Sequence, residues 1–274
     1  MAEINVSTGI KMNYQQQGTG DPLIFIMGTS GSIPTWAGFE DRFTDDYNVI
    51  TFDNRGMGES ERGDGEISVR SMAEDVSALM QALDIPKAHI FGWSLGSAVA
   101  QELAINHPDQ VLSLVLYATW ARCDGFQTSL LSALRYPYAM RNLEVASTAT
   151  GLAFSPETLN RPDLEEFLAP VLAGSPQTEL AMQTTVEQWD ADLVHNTEDR
   201  LGTITVPTLV VVGEQDLLTP PWQSKKVADA IPGAEYHVMT GGGTGHGLHI
   251  EQPEALSALM SDFLVKHQVT TARR

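Results

Sequence analysis

Residues 89–100 read HIFGWSLGSAVA, and this stretch decides the fold. An apolar run breaks on two glycines around Ser94 and continues in small residues that suit a helix, so we predict a strand, a sharp turn and a helix. In such a turn the serine has a strained backbone, and side chains at the flanking glycine positions would strike neighbouring elements. The hydroxyl is then held above the strand end, and the N–H groups of Leu95 and Gly96 face the same space. A glycine-rich turn with a solvated serine is the alternative.

The composition sets limits on size and on partners. The chain has 274 residues, of which 42% are hydrophobic, and this is enough for one large core or two modest ones. A net charge of −19 and a pI near 4.5 repel phosphate backbones and anionic lipid, which argues against nucleic-acid and membrane-surface roles. We therefore expect a small-molecule substrate, and the composition leaves a homo-oligomer open.

One cysteine, Cys123, stands in the sequence, so no internal disulfide can form. A reducing, cytoplasmic compartment is the expectation, and we expect the thiol to serve as a small hydrophobic side chain. The first residues lack the basic and then apolar pattern of a secretion signal, and no apolar run approaches the length of a membrane span.

Apolar runs bounded by turn residues predict a series of strands. The run 23–27 is apolar throughout, which is typical of a strand buried on both faces of a parallel sheet. Residues 68–83 repeat their apolar side chains at helical spacing and predict an amphipathic helix. Because strand and helix signals alternate, we expect an α/β fold with a mainly parallel sheet flanked by helices. Further strands are predicted within 3–17 and at 48–52, 111–117, 206–212 and 234–239, further helices at 36–43, 222–230 and 253–267, and a frayed tail at 268–274.

Strand signals disappear between residues 121 and 203, where helical pieces are separated by prolines. A helical insertion after the strand that follows the Ser94 turn would lie over the carboxyl edge of the sheet, where open α/β sheets bind ligands. We therefore expect a core domain of residues 1–120 and 204–274 and a cap domain of residues 121–203.

A second motif follows the strand at 48–52. Residues 53–60 read DNRGMGES and strongly resemble the D-x-R-G-x-G-x-S segment of the α/β-hydrolase superfamily, and the G-x-S-x-G turn resembles the nucleophile turn of the same superfamily. By this resemblance Ser94 is the nucleophile. We expect Asp53 and Arg55 to form a buried charge pair that shapes their turn.

The loop after residues 23–27 carries the third resemblance. Members of the superfamily usually end this strand in His-Gly and use the next backbone N–H to bind the oxyanion, so the resemblance implies that Thr29 and Leu95 are the donors. Here Met27 replaces the histidine, a Met-Gly form similar to that of esterases resembling aclacinomycin methylesterase. A tight turn that merely needs glycine at Gly28 explains the same residues.

A serine needs a base within hydrogen-bond reach and an acid that orients the base. His246 lies in a glycine-rich loop whose H-x-x-x-x-E-x-P continuation resembles the family's histidine loop, and Asp216 lies in G-x-x-D-x-x-x-P, which matches its acid loop. His249 is the rival base, for which we expect a solvated or capping role near the last helix. A metal site of His246, His249 and Glu251 is a further alternative, although the spacing does not fit a helical H-E-x-x-H array.

The order Ser94, Asp216, His246 is that of an α/β-hydrolase catalytic triad. It predicts a serine hydrolase that cleaves an ester or lactone of a small to medium apolar substrate through an acyl enzyme, without metal or other cofactor. Carbon–carbon bond hydrolysis, cofactor-free perhydrolysis of the haloperoxidase-like kind, amide or lactam hydrolysis, and a small-molecule receptor on the same fold are alternatives. The predicted pocket walls are Trp93, Leu95, Trp120, Leu217 and Leu218.

Overall fold

The computed structural model of the chain describes residues 1–269, and for residues 147–150 it describes the backbone only. Within this range eight strands form one sheet. The strands are β1 (Ala2–Asn5), β2 (Lys11–Gln17), β3 (Asp21–Ile26), β4 (Tyr47–Phe52), β5 (Ala88–Trp93), β6 (Val111–Tyr117), β7 (Thr208–Gly213) and β8 (Glu235–Met239).

The strand order in the sheet is β1-β2-β4-β3-β5-β6-β7-β8. The pairs β1–β2 and β2–β4 are antiparallel, and all pairs from β4–β3 to β7–β8 are parallel. The carboxyl ends of β3, β5, β6 and β7 therefore meet at one edge of the sheet. The predicted α/β class with a mainly parallel sheet is confirmed.

Successive side chains of the central strands enter two different cores, because side chains alternate between the faces of a sheet. On β3, Ile24 and Ile26 join a cluster with the helices of one face, whereas Leu23 and Phe25 join the cluster of the other face. Both faces are thus covered by helices, which explains why β3 reads as a continuous apolar run.

Ten helices are described along residues 1–269. The amphipathic pattern predicted at 68–83 is the first of them, and Ser68 caps it by accepting a hydrogen bond from the N–H of Ser71. The helices are α1 (Val69–Ala82), α2 (Leu95–Asn106), α3 (Gly125–Ala139), α4 (Leu143–Ala149), α5 (Pro156–Leu159), α6 (Leu164–Gly174), α7 (Glu179–Val194), α8 (Pro221–Ala230), α9 (Leu248–Glu251) and α10 (Pro253–Val265). None of them combines the length and the apolar composition that crossing a membrane requires.

Helices α3 to α7 all fall between β6 and β7, where the sequence predicts a helical insertion. They have an apolar cluster of their own, to which Leu131, Met182 and Trp189 contribute. The same cluster includes Leu218, which lies in the loop after β7, so the insertion packs directly on the carboxyl edge of the sheet.

Two local predictions differ from the structure. The pattern at 36–43 predicts one helix, but the chain forms two short 3-10 turns, Ile33–Trp36 and Glu40–Phe43, because Ala37 and Gly38 have left-handed backbones with φ of 56° and 78°. The predicted frayed tail, residues 268–274, is bonded to the sheet where it begins: the side-chain amide of Gln268 donates to the Tyr47 hydroxyl at 3.0 Å, and the N–H of Val269 donates to Asp21 at 2.8 Å. The rest of that tail, residues 270–274, lies outside the described residues.

The predicted Asp53–Arg55 charge pair is wrong. The Arg55 guanidinium instead donates two hydrogen bonds of 2.5 Å to Asp75 on α1, and both side chains are buried. Asp53 accepts hydrogen bonds from the backbone N–H of Ile33 at 2.8 Å and from the side-chain amide of Asn13 at 2.7 Å. The two charged side chains of this turn therefore have different partners: Arg55 pairs with a helix, and Asp53 is bonded to strand β2 and to a 3-10 turn.

Candidate active site

Ser94 lies in the sharp turn between β5 and α2. Its φ of 54° and ψ of −122° place it in a strained conformation for a residue with a side chain. Gly92 and Gly96 permit the turn, because a Cβ on Gly92 would overlap the carbonyl of Gly96 and a Cβ on Gly96 would overlap the carbonyl of Ile26. The Ser94 N–H donates to the carbonyl of Tyr117 at 3.0 Å, which fixes the turn to the end of β6.

The side chains of Asp216 and His246 are hydrogen-bonded to each other in the structure. Asp216 follows β7 and His246 follows β8, and Nδ1 of His246 lies 3.0 and 2.9 Å from the two carboxylate oxygens of Asp216. Asp216 also accepts hydrogen bonds from the N–H groups of Leu218 and Thr219 at 2.9 Å each. The carboxylate is thus held by its own loop in the position where it contacts the imidazole, and both side chains are buried.

The backbone of His246 is fixed from two strands. Its carbonyl accepts hydrogen bonds from the indole N–H of Trp93 at 3.0 Å and from the hydroxyl of Tyr117 at 2.5 Å. The hydroxyl of Tyr117 in turn accepts the N–H of Leu248. Burial raises the pKa of the Tyr117 phenol well above its usual range, so this hydroxyl stays protonated and can donate.

Glu251 connects the histidine loop to the insertion. Its carboxylate accepts hydrogen bonds from the N–H of Gly245 at 2.8 Å, the N–H of Ser155 at 2.9 Å and the hydroxyl of Thr158 at 2.6 Å. With its oxygens engaged in this way, Glu251 does not serve as the metal ligand that the sequence left open. Across the described part of the chain, no group of three or more His, Cys, Asp or Glu side chains is arranged to hold a metal ion.

His249 is not the solvated or capping residue that the sequence predicts. It is 2% exposed, and its ring packs edge-on against Trp93 with a centroid distance of 4.4 Å. Its Nε2 lies 3.3 Å from the carbonyl of Thr35. Burial lowers the pKa of His249 to about 3, so the ring is neutral at physiological pH. The helix α9 turns this histidine toward the aromatic core instead of toward solvent.

A cavity of about 90 Å³ opens onto Ser94 and His246. One side is formed by the loop after β3 and by the ends of β5 and β7, and the other side is formed by helices of the insertion. Its lining is mostly apolar, as is usual for small-molecule sites. The lining residues are Gly28, Thr29, Ser30, Trp93, Ser94, Leu134, Tyr138, Ala146, Ala153, Trp189, Leu218 and His246.

The predicted walls are partly in the cavity. Trp93 and Leu218 line it, but Trp120 and Leu95 do not, because both are buried in the core between the sheet and its helices. Leu217 is also not a wall, since it is 48% exposed and is not among the residues that line the cavity. Sequence analysis missed the walls from the insertion, Leu134, Tyr138, Ala146 and Trp189, because helical spacing does not separate a cap core residue from a cavity wall.

The two predicted oxyanion donors come from two different segments, Leu95 from the start of α2 and Thr29 from the loop after β3. Leu95 begins α2, where the first N–H groups of a helix have no acceptor within the helix. Thr29 lines the cavity, and its hydroxyl donates a hydrogen bond of 2.6 Å to the buried Asp192 of α7.

Cys123 is half-buried nearby, and burial raises the pKa of its thiol to about 12, so it is an unreactive thiol at neutral pH.

Comparison with known proteins agrees with this architecture. A family model described as the alpha/beta hydrolase fold matches residues 21–253. A Mycobacterium tuberculosis protein named provisionally as the non-heme bromoperoxidase BpoC is 32% identical over 262 residues, which covers 93% of this chain and 97% of that protein. The 2-hydroxymuconate semialdehyde hydrolase of Pseudomonas putida is 30% identical over 267 residues, with coverage of 95% and 93%.

A solved structure extends the likeness to three dimensions. Est816, described as an enzyme that degrades N-acyl homoserine lactones, is 26% identical, has a TM-score of 0.75, and covers 96% of this chain and all of its own. The family match spans most of the chain, and the sheet, the strained serine turn and the order of the loops are those that the sequence predicts for this fold. The protein belongs to the α/β-hydrolase family.

Proposed function

We propose that this protein is a serine hydrolase of the carboxylesterase or lactonase kind, which cleaves an ester or lactone of a small to medium apolar substrate. The observation that carries the proposal is the contact of His246 with the Asp216 carboxylate at 2.9 Å, beside a cavity that Ser94 and His246 both line. A hydroxyl, an imidazole and a buried carboxylate in this order are the parts that acyl transfer needs.

In the proposed mechanism, Ser94 attacks the substrate carbonyl while His246 accepts its proton. Asp216 holds the imidazole with Nδ1 toward the carboxylate, so that the other ring nitrogen is the one that takes up the proton, and it stabilises the imidazolium. The backbone N–H groups of Leu95 and Thr29 bind the tetrahedral oxygen, and each such donor contributes about a hundredfold or more to the rate. The alcohol leaves with the proton from His246, and water then hydrolyses the acyl enzyme by the same steps.

The same proposal gives the core domain and the cap domain different roles. Residues 1–120 and 204–274 form the catalytic core, which supplies the nucleophile, acid, base and oxyanion donors. Residues 121–203 form a cap that closes the cavity with Leu134, Tyr138 and Trp189. The small volume and the apolar walls favour a short apolar acyl group, and no metal or organic cofactor takes part in these steps.

The names of the relatives suggest alternative reactions for this site. One relative is named a bromoperoxidase and another a 2-hydroxymuconate semialdehyde hydrolase, so cofactor-free perhydrolysis and carbon–carbon bond hydrolysis are the alternatives for the same site. A receptor that binds without turnover is the alternative outside enzymes. The cavity beside His246 and Ser94 serves all of these equally, and the substrate panel below separates them.

The test combines labelling with turnover. A fluorophosphonate should attach to the peptide that contains Ser94, and the chain should hydrolyse p-nitrophenyl esters with a preference for short acyl groups. Ser94→Ala should abolish both labelling and turnover, while the exposed Ser7→Ala is the matched control. Lactones, 2-hydroxymuconate semialdehyde, and bromide with peroxide complete the panel. Labelling elsewhere, or turnover by Ser94→Ala, would overturn the proposal, and tight binding without turnover would favour the receptor.

A further inference from the structure

Two buried polar side chains of α7 reach the loop that carries Thr29. Asp192 accepts the hydrogen bond from the Thr29 hydroxyl at 2.6 Å, and the side-chain oxygen of Gln188 accepts the N–H of Ser30 at 2.9 Å. Gln188 and Asp192 are four residues apart and therefore lie on the same face of the helix. They are 0% and 1% exposed. One face of an insertion helix thus binds two consecutive residues of the core loop beside the nucleophile.

Burying these two side chains leaves some of their polar atoms unpaired, and this costs free energy. The second carboxyl oxygen of Asp192 and the side-chain nitrogen of Gln188 are buried without a hydrogen-bond partner among the described residues. An unpaired buried polar atom costs about 1–3 kcal/mol, so an apolar residue of similar size would serve the cap core better. Because unpaired buried polar groups are rare in folded proteins, we look for a function of Asp192 and Gln188 in the loop that they contact.

The loop geometry indicates what that role is. Ser30 has a left-handed backbone with φ of 65°, which is strained for a residue with a side chain and must be held by its surroundings. Gln188 accepts the hydrogen bond from the N–H of Ser30. The N–H of Thr29 is then the loop donor next to the cavity. The Thr29 side chain is at the same time fixed by its hydrogen bond to Asp192.

The charge state of Asp192 matters because an oxyanion would form close to the loop that it contacts. Burial raises the pKa of Asp192 to about 8, so the neutral carboxyl form predominates at pH 7. An ionised carboxylate there would repel the negative oxygen of the tetrahedral intermediate, whereas a neutral carboxyl can hold the Thr29 hydroxyl without that penalty.

We propose that Asp192 and Gln188 are positioning residues, which hold the Thr29–Ser30 backbone so that the Thr29 N–H points at the oxyanion. This inference rests on the proposed serine-hydrolase function. It assigns to the insertion a part in transition-state binding, in addition to closing the cavity. It also accounts for the strained backbone of Ser30, whose N–H is held by Gln188.

Isosteric variants test the inference. Thr29→Val removes the hydroxyl and keeps the shape, and Thr29→Ser restores the hydroxyl. Asp192→Leu and Gln188→Leu remove the acceptors, and Asp192→Asn restores one. We expect Thr29→Val, Asp192→Leu and Gln188→Leu to lower kcat on a p-nitrophenyl ester about tenfold or more with KM within twofold, because an oxyanion donor acts on the transition state. Thr29→Ser and Asp192→Asn should stay within about threefold of wild type.

A double variant separates positioning from general loosening of the cap. Thr29→Val combined with Asp192→Leu should lose no more kcat than the worse single variant, because both remove the same hydrogen bond. The matched control is Asp190→Asn, which breaks the exposed ion pair of α7 with Arg135 on α3 and leaves the Thr29 loop untouched. Its kcat should equal that of wild type. Thermal unfolding and circular dichroism verify that each variant folds, and the conservative Thr29→Val keeps the test decisive if Asp192→Leu does not fold.

The outcomes distinguish this inference from the function on which it rests. If Ser94→Ala is inactive and Thr29→Val keeps wild-type kcat, or if the α7 variants change only KM or thermal stability, the positioning role is wrong and the hydrolase proposal stands. If Ser94→Ala retains turnover, the hydrolase proposal itself fails. A parallel loss of kcat and of the fluorophosphonate labelling rate in Thr29→Val and Gln188→Leu, with rescue in Thr29→Ser, supports the inference.

Discussion

The indole N–H of Trp93 donates a hydrogen bond of 3.0 Å to the backbone carbonyl of His246. Trp93 directly precedes Ser94, so the strand that carries the predicted nucleophile also fixes the loop that carries the predicted base. Tyr117 at the end of β6 donates to the same carbonyl. Two rigid strands therefore hold the histidine loop, and such support from rigid elements is what precise catalytic geometry needs.

Tyr117→Phe tests this support directly. The variant removes one donor to the His246 carbonyl and leaves the buried N–H of Leu248 without its acceptor. We expect the free energy of unfolding to fall by about 1–3 kcal/mol, and kcat on an ester substrate to fall severalfold because the base is less well placed. Urea unfolding and steady-state kinetics are the measurements. Tyr236→Phe, which removes a hydroxyl bonded to Pro221 away from the cavity, is the control and should keep wild-type kcat.

The two histidines of the loop should differ sharply in their effect on activity. His246→Ala removes the proposed base and should lower kcat at least a thousandfold while the fold is kept. His249→Phe keeps a ring in the aromatic cluster and should retain most of the activity, because its ring packs beside Trp93 and does not line the cavity. Initial rates with a p-nitrophenyl ester measure both. The reverse ranking would assign the base to His249.

Much of the architecture could be predicted because its signals are local. The continuous apolar runs give buried parallel strands, and Gly92 is required because a Cβ there would overlap the backbone of Gly96, only four residues away. Asp216 and His246 stand out because each follows a strand whose carboxyl end reaches the same sheet edge. Their meeting at 2.9 Å follows from parallel topology, which the alternation of strands and helices already predicts.

The rest depends on packing between distant segments, for which the sequence has no periodic signal. Arg55 could have paired with Asp53 two residues away, but the fold places Asp75 of α1 within 2.5 Å of its guanidinium. Asp192 is one of many acidic residues in the insertion, and only the docking of α7 brings it to Thr29. His249 looked like a helix-end residue because the aromatic rings around it come from distant parts of the chain, namely Trp36, Phe39, Trp93 and Tyr117.

The Arg55–Asp75 pair gives a stability prediction. Both side chains are buried, and Asp75 also accepts a hydrogen bond of 2.6 Å from the Thr8 hydroxyl. Asp75→Ala leaves a buried guanidinium without its counter-ion, so we expect the free energy of unfolding to fall by about 3–5 kcal/mol. Glu187→Gln, which weakens the partly exposed pair with Arg62, should cost less than about 1 kcal/mol. Urea denaturation compares them, and equal losses would contradict the buried-pair interpretation.

The stability of the protein should fall in acid through His249. The folded chain keeps this ring neutral because burial lowers the pKa of His249 to about 3, whereas the unfolded chain protonates it near pH 6.5. Between these pH values the unfolded state binds more protons, so stability is full above pH 6.5 and declines as pH falls toward 3. The share of His249 in this loss is about 2 kcal/mol at pH 5.

His249→Phe removes this titration and keeps a ring among Trp36, Phe39 and Trp93. Urea unfolding at pH 7.5 and pH 5 should show a drop in the free energy of unfolding that is about 2 kcal/mol smaller in the variant than in wild type, because only the wild type has a histidine whose unfolded form gains a proton. His237 is exposed on β8, so His237→Gln should keep the wild-type drop. An identical drop in His249→Phe and wild type would mean that His249 is accessible to protons in the folded chain.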